Sequence, residues 1–272
     1  MTKTLFFLVI ALCTTSLIAQ NQQAPATPES KLVQFQMAIL KRGPKWSASP
    51  DTASAVHKQH VDYVQSLLSS GKAVIAGPIR DDSDFAGVYI FRTQSADEAR
   101  SWVMSDPAVV AQHIVPELHP WWSEDVMKKT ETPRKMMTAY LAFLVRGEKW
   151  TPERTPQTEE IQKAHLANIG RLAEMKKLVV AGPFGDNGNL RGIFVFRVNS
   201  LEEARSLTLT DPAVQAGRLA LDLHPWLVPE GILPSFHHIR LRRLHRLALI
   251  EFSTSPFFIV LNLCNLRNRW MN

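Results

Sequence analysis

Cysteine is nearly absent from this chain: two residues in 272. Cys13 lies in the N-terminal segment read below as a leader, which leaves Cys264 alone and excludes a disulfide framework in the mature chain. No uninterrupted apolar run approaches the roughly 18 residues a membrane-spanning helix needs. There is no glycine-rich phosphate loop, dinucleotide fingerprint, nucleophile elbow or zinc-ligand spacing, so no metal and no cofactor is implied. Charge of one sign is also missing where the folded body lies. Of the overall +6, Lys3 supplies one charge, and Arg240, Arg242, Arg243, Arg246, Arg267 and Arg269 against Glu251 supply five. Residues 20–235 are neutral, which argues against a nucleic-acid-binding surface.

What is present begins with a leader. Lys3, the apolar stretch Leu5 to Leu12 and the small-residue end at Ala19 have the layout of a secretory signal peptide. The expectation is a leader over 1–19, an unstructured segment over 20–30, and a secreted or periplasmic protein. The chain beyond Pro234 (235–272) is basic, then apolar. Glu251 and Pro256 break its apolar run, so it reads as an extension outside the fold, with a peripheral membrane segment as the alternative. No firm membrane partner follows.

The body is one unit written twice. His60 and His165, Ala76-Gly77-Pro78 and Ala181-Gly182-Pro183, Asp106-Pro107 and Asp211-Pro212, and His119-Pro120-Trp121 and His224-Pro225-Trp226 all stand 105 positions apart. Between His60 and Trp121, 25 of 62 positions match their counterparts without a gap. Upstream, Arg42 and Trp46 pair with Arg146 and Trp150 at a spacing of 104, so one residue was gained or lost in the loop before the His helix. The units are expected over 31–129 and 138–234, joined by a polar linker at 130–137.

Each unit parses as β-α-β-β-α-β. Strand-like spacing over 32–41 and 138–146 precedes a helix whose apolar face carries Val56, His60, Val64 and Leu67, or Ile161, His165, Ile169 and Leu172. Gly71 is a plausible stop for the first helix. Two short strands follow, AVIAGP with VYIFR and LVVAGP with IFVFR. Ser95 with Glu98, and Ser200 with Glu203, have capping-box spacing and open a second helix. The fold class expected is α+β: two tandem ferredoxin-like domains whose sheets pack face to face as a pseudo-dimeric α+β barrel. Further association into a homo-oligomer stays open.

The helix His, Ala-Gly-Pro, the Glu-Ala-Arg helix, Asp-Pro-Ala and the closing Pro-Trp together resemble the YciI-like (YCII-related) domain family. In layout they are similar to the wider dimeric α+β barrel group that includes muconolactone isomerase. The resemblance covers roughly 32–122 and 138–227 and none of the tail. It implies that His60 with Asp106, and His165 with Asp211, face clefts as active-site pairs, and that the ligand is a small aromatic or lactone-like compound. The leader and the tandem form depart from a cytosolic catabolic member.

The residues support two readings. A carboxylate bonded to one imidazole nitrogen fixes the tautomer and makes the other nitrogen a general base or acid, suited to a lyase, isomerase or hydrolase-like reaction on a small aromatic or enolisable organic acid. Alternatively the pairs only satisfy buried polarity in a small-molecule-binding or assembly module. Arg42 and Arg146 are candidates to bind a ligand carboxylate, and Trp46 and Trp150 to wall the same clefts. His119 and His224 lack a second spaced ligand and make no metal site.

Overall fold

A computed structural model describes residues 32–46, 50–127 and 135–234. The expected leader, the 20–30 segment, most of the linker, the 235–272 extension and both cysteines lie outside them.

The first unit runs β1 (Leu32–Arg42), α1 (Pro50–Ser69), β2 (Ala73–Pro78), β3 (Phe85–Phe91), α2 (Ala96–Met104), α3 (Pro107–Val110) and β4 (Ile114–Glu124). The second repeats it as β5 (Met136–Arg146), α4 (Pro156–Glu174), β6 (Leu178–Pro183), β7 (Leu190–Phe196), α5 (Leu201–Thr208), α6 (Pro212–Gln215) and β8 (Leu219–Pro229). Strand β5 begins two residues inside the expected linker. The four-residue helices α3 and α6 are additions to the expected order. They arise because Asp106 and Asp211 do more than end a helix: each caps a new one, with Pro at its first position and the Asp side chain accepting the N–H of Ala108 or Ala213.

Both sheets are antiparallel, ordered β2-β3-β1-β4 and β6-β7-β5-β8, the ferredoxin-like order. Alternation along the central strands sends side chains to two different cores. Phe35, Met37 and Ile39 of β1 and Ala139, Leu141 and Phe143 of β5 meet in one cluster shared by the two sheets. Ala38 and Leu40 turn the other way onto the helices of copy one, and Ala142 and Leu144 onto those of copy two. The sheets therefore pack on each other, and each keeps its helices on its outer face.

Local signals behave largely as their chemistry requires. Ser95 and Ser200 accept the N–H of Glu98 and Glu203. The reciprocal half of each capping box is diverted: Glu98 takes the hydroxyl of Thr93, and Glu203 takes the N–H of Asn199, one residue upstream of the cap. Helix α1 stops at Gly71, with φ at 75°. Lys176 holds the same place in copy two at φ 60°, a left-handed conformation that costs a side-chain-bearing residue about 1 kcal/mol.

The two sheets close into one barrel by touching at both edges. Ile79 bridges to Trp226, and Phe184 to Trp121. The N–H of Arg80 reaches the Pro225 carbonyl at 2.9 Å, and that of Gly185 reaches the Pro120 carbonyl at 2.7 Å. Trp226 donates its indole N–H to the Gly77 carbonyl and Trp121 to the Gly182 carbonyl, both at 3.1 Å, and both rings are fully buried. A Cβ on Gly77 would overlap the Leu227 carbonyl oxygen, and one on Gly182 would overlap that of Trp122. The Ala-Gly-Pro of one copy and the His-Pro-Trp of the other are thus two halves of one contact, made twice.

The same seam pairs His224 with Asp81 at 2.7 Å and His119 with Asp186 at 2.6 Å, each across the two domains. The second ring nitrogens face Asp222 at 2.9 Å and Glu117 at 3.3 Å. These histidines are interdomain ties, a role that spacing along the chain does not show because the acid partner belongs to the other copy.

Replacing either seam glycine by alanine should cost about 3 kcal/mol or more, because backbone rather than a mobile side chain must give way. Denaturant melts of Gly77→Ala and Gly182→Ala would show it. Burial tends to raise the Asp81 carboxyl, but hydrogen bonds from Ser83 and His224 outweigh it and hold the group below its ordinary value. A depressed folded-state value means this contribution is present above the ordinary carboxyl range and lost as pH falls through it. Melting temperature should therefore fall less between pH 7 and about pH 3 in Asp81→Asn than in the parent protein.

Candidate functional site

In copy one, α1 carries His60 toward the sheet and α3 holds Asp106 behind it. The imidazole Nδ1 lies 2.9 and 3.0 Å from the two Asp106 oxygens. Asp106 is fully buried and also accepts the Ala108 N–H at 2.9 Å and the Tyr89 hydroxyl at 2.7 Å. Burial, and then the nearby Asp106 charge, push the Tyr89 phenol well above its ordinary value, so it stays a donor. With Asp106 receiving donors on every side, Nδ1–H donates to it as well. Nε2 is then the ring nitrogen available to take or give a proton.

His60 keeps 19% of its side-chain surface exposed and lines a cleft of about 1010 Å³. Leu40, Val56, Val64 and Ala86 make its apolar wall, and Arg42, Trp46 and Arg80 also line it. Arg42 donates to the Asp81 carbonyl at 2.8 Å, and its guanidinium lies 5.4 Å from the centre of the Trp46 ring. Met136 and Pro229, from the second domain, complete the lining. The expected grouping of Arg42, Trp46 and His60, with Asp106 behind, is therefore assembled in one place.

Copy two keeps the pair and loses the space. His165 Nδ1 lies 2.7 Å from Asp211, which is fully buried and accepts the Ala213 N–H at 2.8 Å. The His165 side chain is only 2% exposed, and the void beside it measures about 30 Å³, the share of a single water molecule. Substitutions between the copies account for the closure. Val61 and Val64 of α1 correspond to Leu166 and Ile169 of α4, both buried and both lining the small void beside His165, and Tyr89 corresponds to Phe194, on which His165 stacks at 5.9 Å. Ala86, on the open wall of copy one, corresponds to the buried Arg191. Arg146 stacks on Trp150 at 3.9 Å, and Trp150 lines a separate cleft that does not reach His165. Sequence spacing groups Arg146 and Trp150 with His165; the structure does not.

Reading by spacing also passed over Tyr89. The available signal was a Tyr-to-Phe difference on a strand whose flanking residues match closely between copies. Tyr89→Phe should lower stability by about 1 kcal/mol through loss of one buried hydrogen bond, measurable by chemical denaturation. The barrel should survive, since copy two already holds Phe194 at this place.

The arrangement can be set beside known proteins. YjpA of Bacillus subtilis (strain 168) is 34% identical over 76 residues, which is 26% of this chain and 87% of that protein. A heme-binding protein from Thermus thermophilus superposes with a TM-score of 0.45 at 13% identity, over 77% of this chain and 95% of that one. A variant of chlorite dismutase from Candidatus Nitrospira defluvii gives 0.49 at 11% identity, over 81% and 97%. The fold follows from the strand order and register described above rather than from these two superpositions. The model of the YCII-related domain matches twice, over residues 35–120 and 137–226. Two matches of that extent, each spanning one β-α-β-β-α-β unit with its helix His and Asp-Pro, place this chain in the YCII-related domain family, as a tandem of two such domains.

Proposed function

We propose that copy one is a general acid–base site for a small aromatic or enolisable organic acid, and that copy two keeps its His–Asp pair as a structural hydrogen bond. The observation that carries this reading is the contrast between a cleft of about 1010 Å³ at His60 and a void of about 30 Å³ at His165. A substrate carboxylate would meet Arg42 and Arg80 at the mouth, with its apolar body against Leu40, Val56 and Val64. His60 Nε2 would take a proton from the substrate. Asp106, held by Tyr89 and the Ala108 N–H, would orient the ring and stabilise the imidazolium that forms. Returning the proton to a different atom gives isomerisation, and returning it to a leaving group gives elimination. The leader-like N-terminus adds the further proposal that this chemistry takes place outside the cytoplasm.

For copy two the non-catalytic reading is the one supported, because a ligand has no access to His165. A screen of small aromatic and enolisable acids against the parent protein, His60→Ala and His165→Ala separates the roles. His60→Ala should lower kcat/KM by roughly 10²- to 10⁴-fold. His165→Ala should leave kcat/KM within about threefold but lower the melting temperature, because Asp211 then stays buried without one of its donors. Unchanged turnover in His60→Ala, or equal losses in both variants, would show the reading to be wrong.

A further inference from the structure

The His60 cleft holds one side chain that the acid–base chemistry above does not use. His113, between α3 and β4, lines the cleft and is only 9% exposed. Among the described residues neither of its ring nitrogens has a hydrogen-bond partner, and neither is sealed from open space. A polar ring buried to that extent ordinarily finds a partner. The other buried histidines do so: His119, His165 and His224 meet carboxylates at 2.6, 2.7 and 2.7 Å.

Backbone bonds fix where this ring stands. The His113 carbonyl accepts the Gly43 N–H at 2.7 Å, and its own N–H donates to the Ala108 carbonyl at 2.9 Å. Strand register sets Ile114, the next residue, opposite Arg42, so His113 stands at the Arg42 end of the cleft while His60 comes from α1. Copy two has Arg218 at this position, and Arg218 gives N–H groups to Thr151 at 3.1 and 2.9 Å. The position is thus bonded to protein in the sealed copy, and its polar group is left for a ligand in the open one. Arg42 and Arg80 already supply the positive charge that one carboxylate needs. An imidazole differs from both in that its two nitrogens can donate and accept, which suits a neutral oxygen group. A cleft of about 1010 Å³ also has room for more than a bare aromatic acid.

We propose that His113 is a second ligand-contacting residue of this cleft, and that the ligand carries, besides its carboxylate, an oxygen substituent, a hydroxyl or a carbonyl, that hydrogen-bonds the His113 ring. This rests on the reading of the His60 cleft as a site for an organic acid. Arg42 and Arg80 hold the carboxylate, His60 moves the proton, and His113 selects by the second oxygen. An analogue without that oxygen leaves a buried imidazole unpaired and binds less well for that reason.

Isothermal titration of the full chain with benzoate, and with hydroxybenzoates and formylbenzoates substituted at the ortho, meta or para position, tests this. At least one substituted probe should bind about fivefold or more tightly than benzoate. His113→Phe keeps a ring but no nitrogen; it should abolish that gain while leaving benzoate within about twofold. A general packing defect would weaken benzoate as well, so the difference between probes reports the hydrogen bond rather than the fold. Should His113→Phe fail to fold, the parent protein answers the same question: the imidazole ¹⁵N resonances of His113 should shift on saturation with the favoured probe and stay in place with benzoate. The proposal fails if no substituted probe outbinds benzoate, if none saturates by about 10 mM, if the gain survives His113→Phe, or if benzoate loses as much as the substituted probe, since His113 would then hold the carboxylate. Turnover insensitive to His60→Ala would sink the acid–base reading and leave these affinities as they are. Affinities indifferent to His113 would sink the present assignment and leave the turnover test standing.

Discussion

Everything in this molecule rests on a backbone-to-backbone approach at the barrel seam. Each four-stranded sheet has one apolar face covered by its own helices and a second apolar face that, among the described residues, no element of its own domain covers. The second face is buried only when the other copy arrives, and the edges close only because Gly77 and Gly182 leave room for the carbonyls of Leu227 and Trp122. Trp121 and Trp226 then fill the joint and spend their indole N–H on those same glycines, so that burying the rings leaves no donor unsatisfied. The cross-domain pairs His119–Asp186 and His224–Asp81 add charge-assisted hydrogen bonds at the same two places.

A seam of this kind holds both copies to the same residues, since each glycine, tryptophan, histidine and aspartate has its partner in the opposite domain. The outer clefts lie under no such constraint. Substitutions from valine to leucine or isoleucine, from tyrosine to phenylalanine and from alanine to arginine have sealed one His–Asp pair and left the other open, while the barrel between them remains two-fold in character. The sealed pair still serves the fold. Asp211 caps α6 and receives His165, so both buried polar groups are satisfied.

Much of the architecture was legible because repetition and periodicity are linear properties. The register of the copies, the alternation along β1 and β5, the serine caps of α2 and α5 and the stop at Gly71 can all be read within a few residues of chain. The His60–Asp106 contact was legible for a different reason: both residues recur in both copies, and the resemblance stated from the sequence implies them as a pair, although 46 positions separate them. Tyr89 and Asp81 were not, because a hydroxyl on a strand and an acid in a loop have no pattern until their partners are in place.

The sequence by itself determined that one α+β unit occurs twice, which residues both copies keep, and that the net positive charge lies outside the repeat. Tertiary structure alone decided what the retained residues are for. Ala-Gly-Pro and His-Pro-Trp read locally as a strand stop and a strand end, and only packing shows them to be one contact between domains. Likewise, two His–Asp pairs that look equivalent along the chain differ in the volume next to the ring. Volume is set by side chains converging from several elements, and no single stretch of sequence contains it.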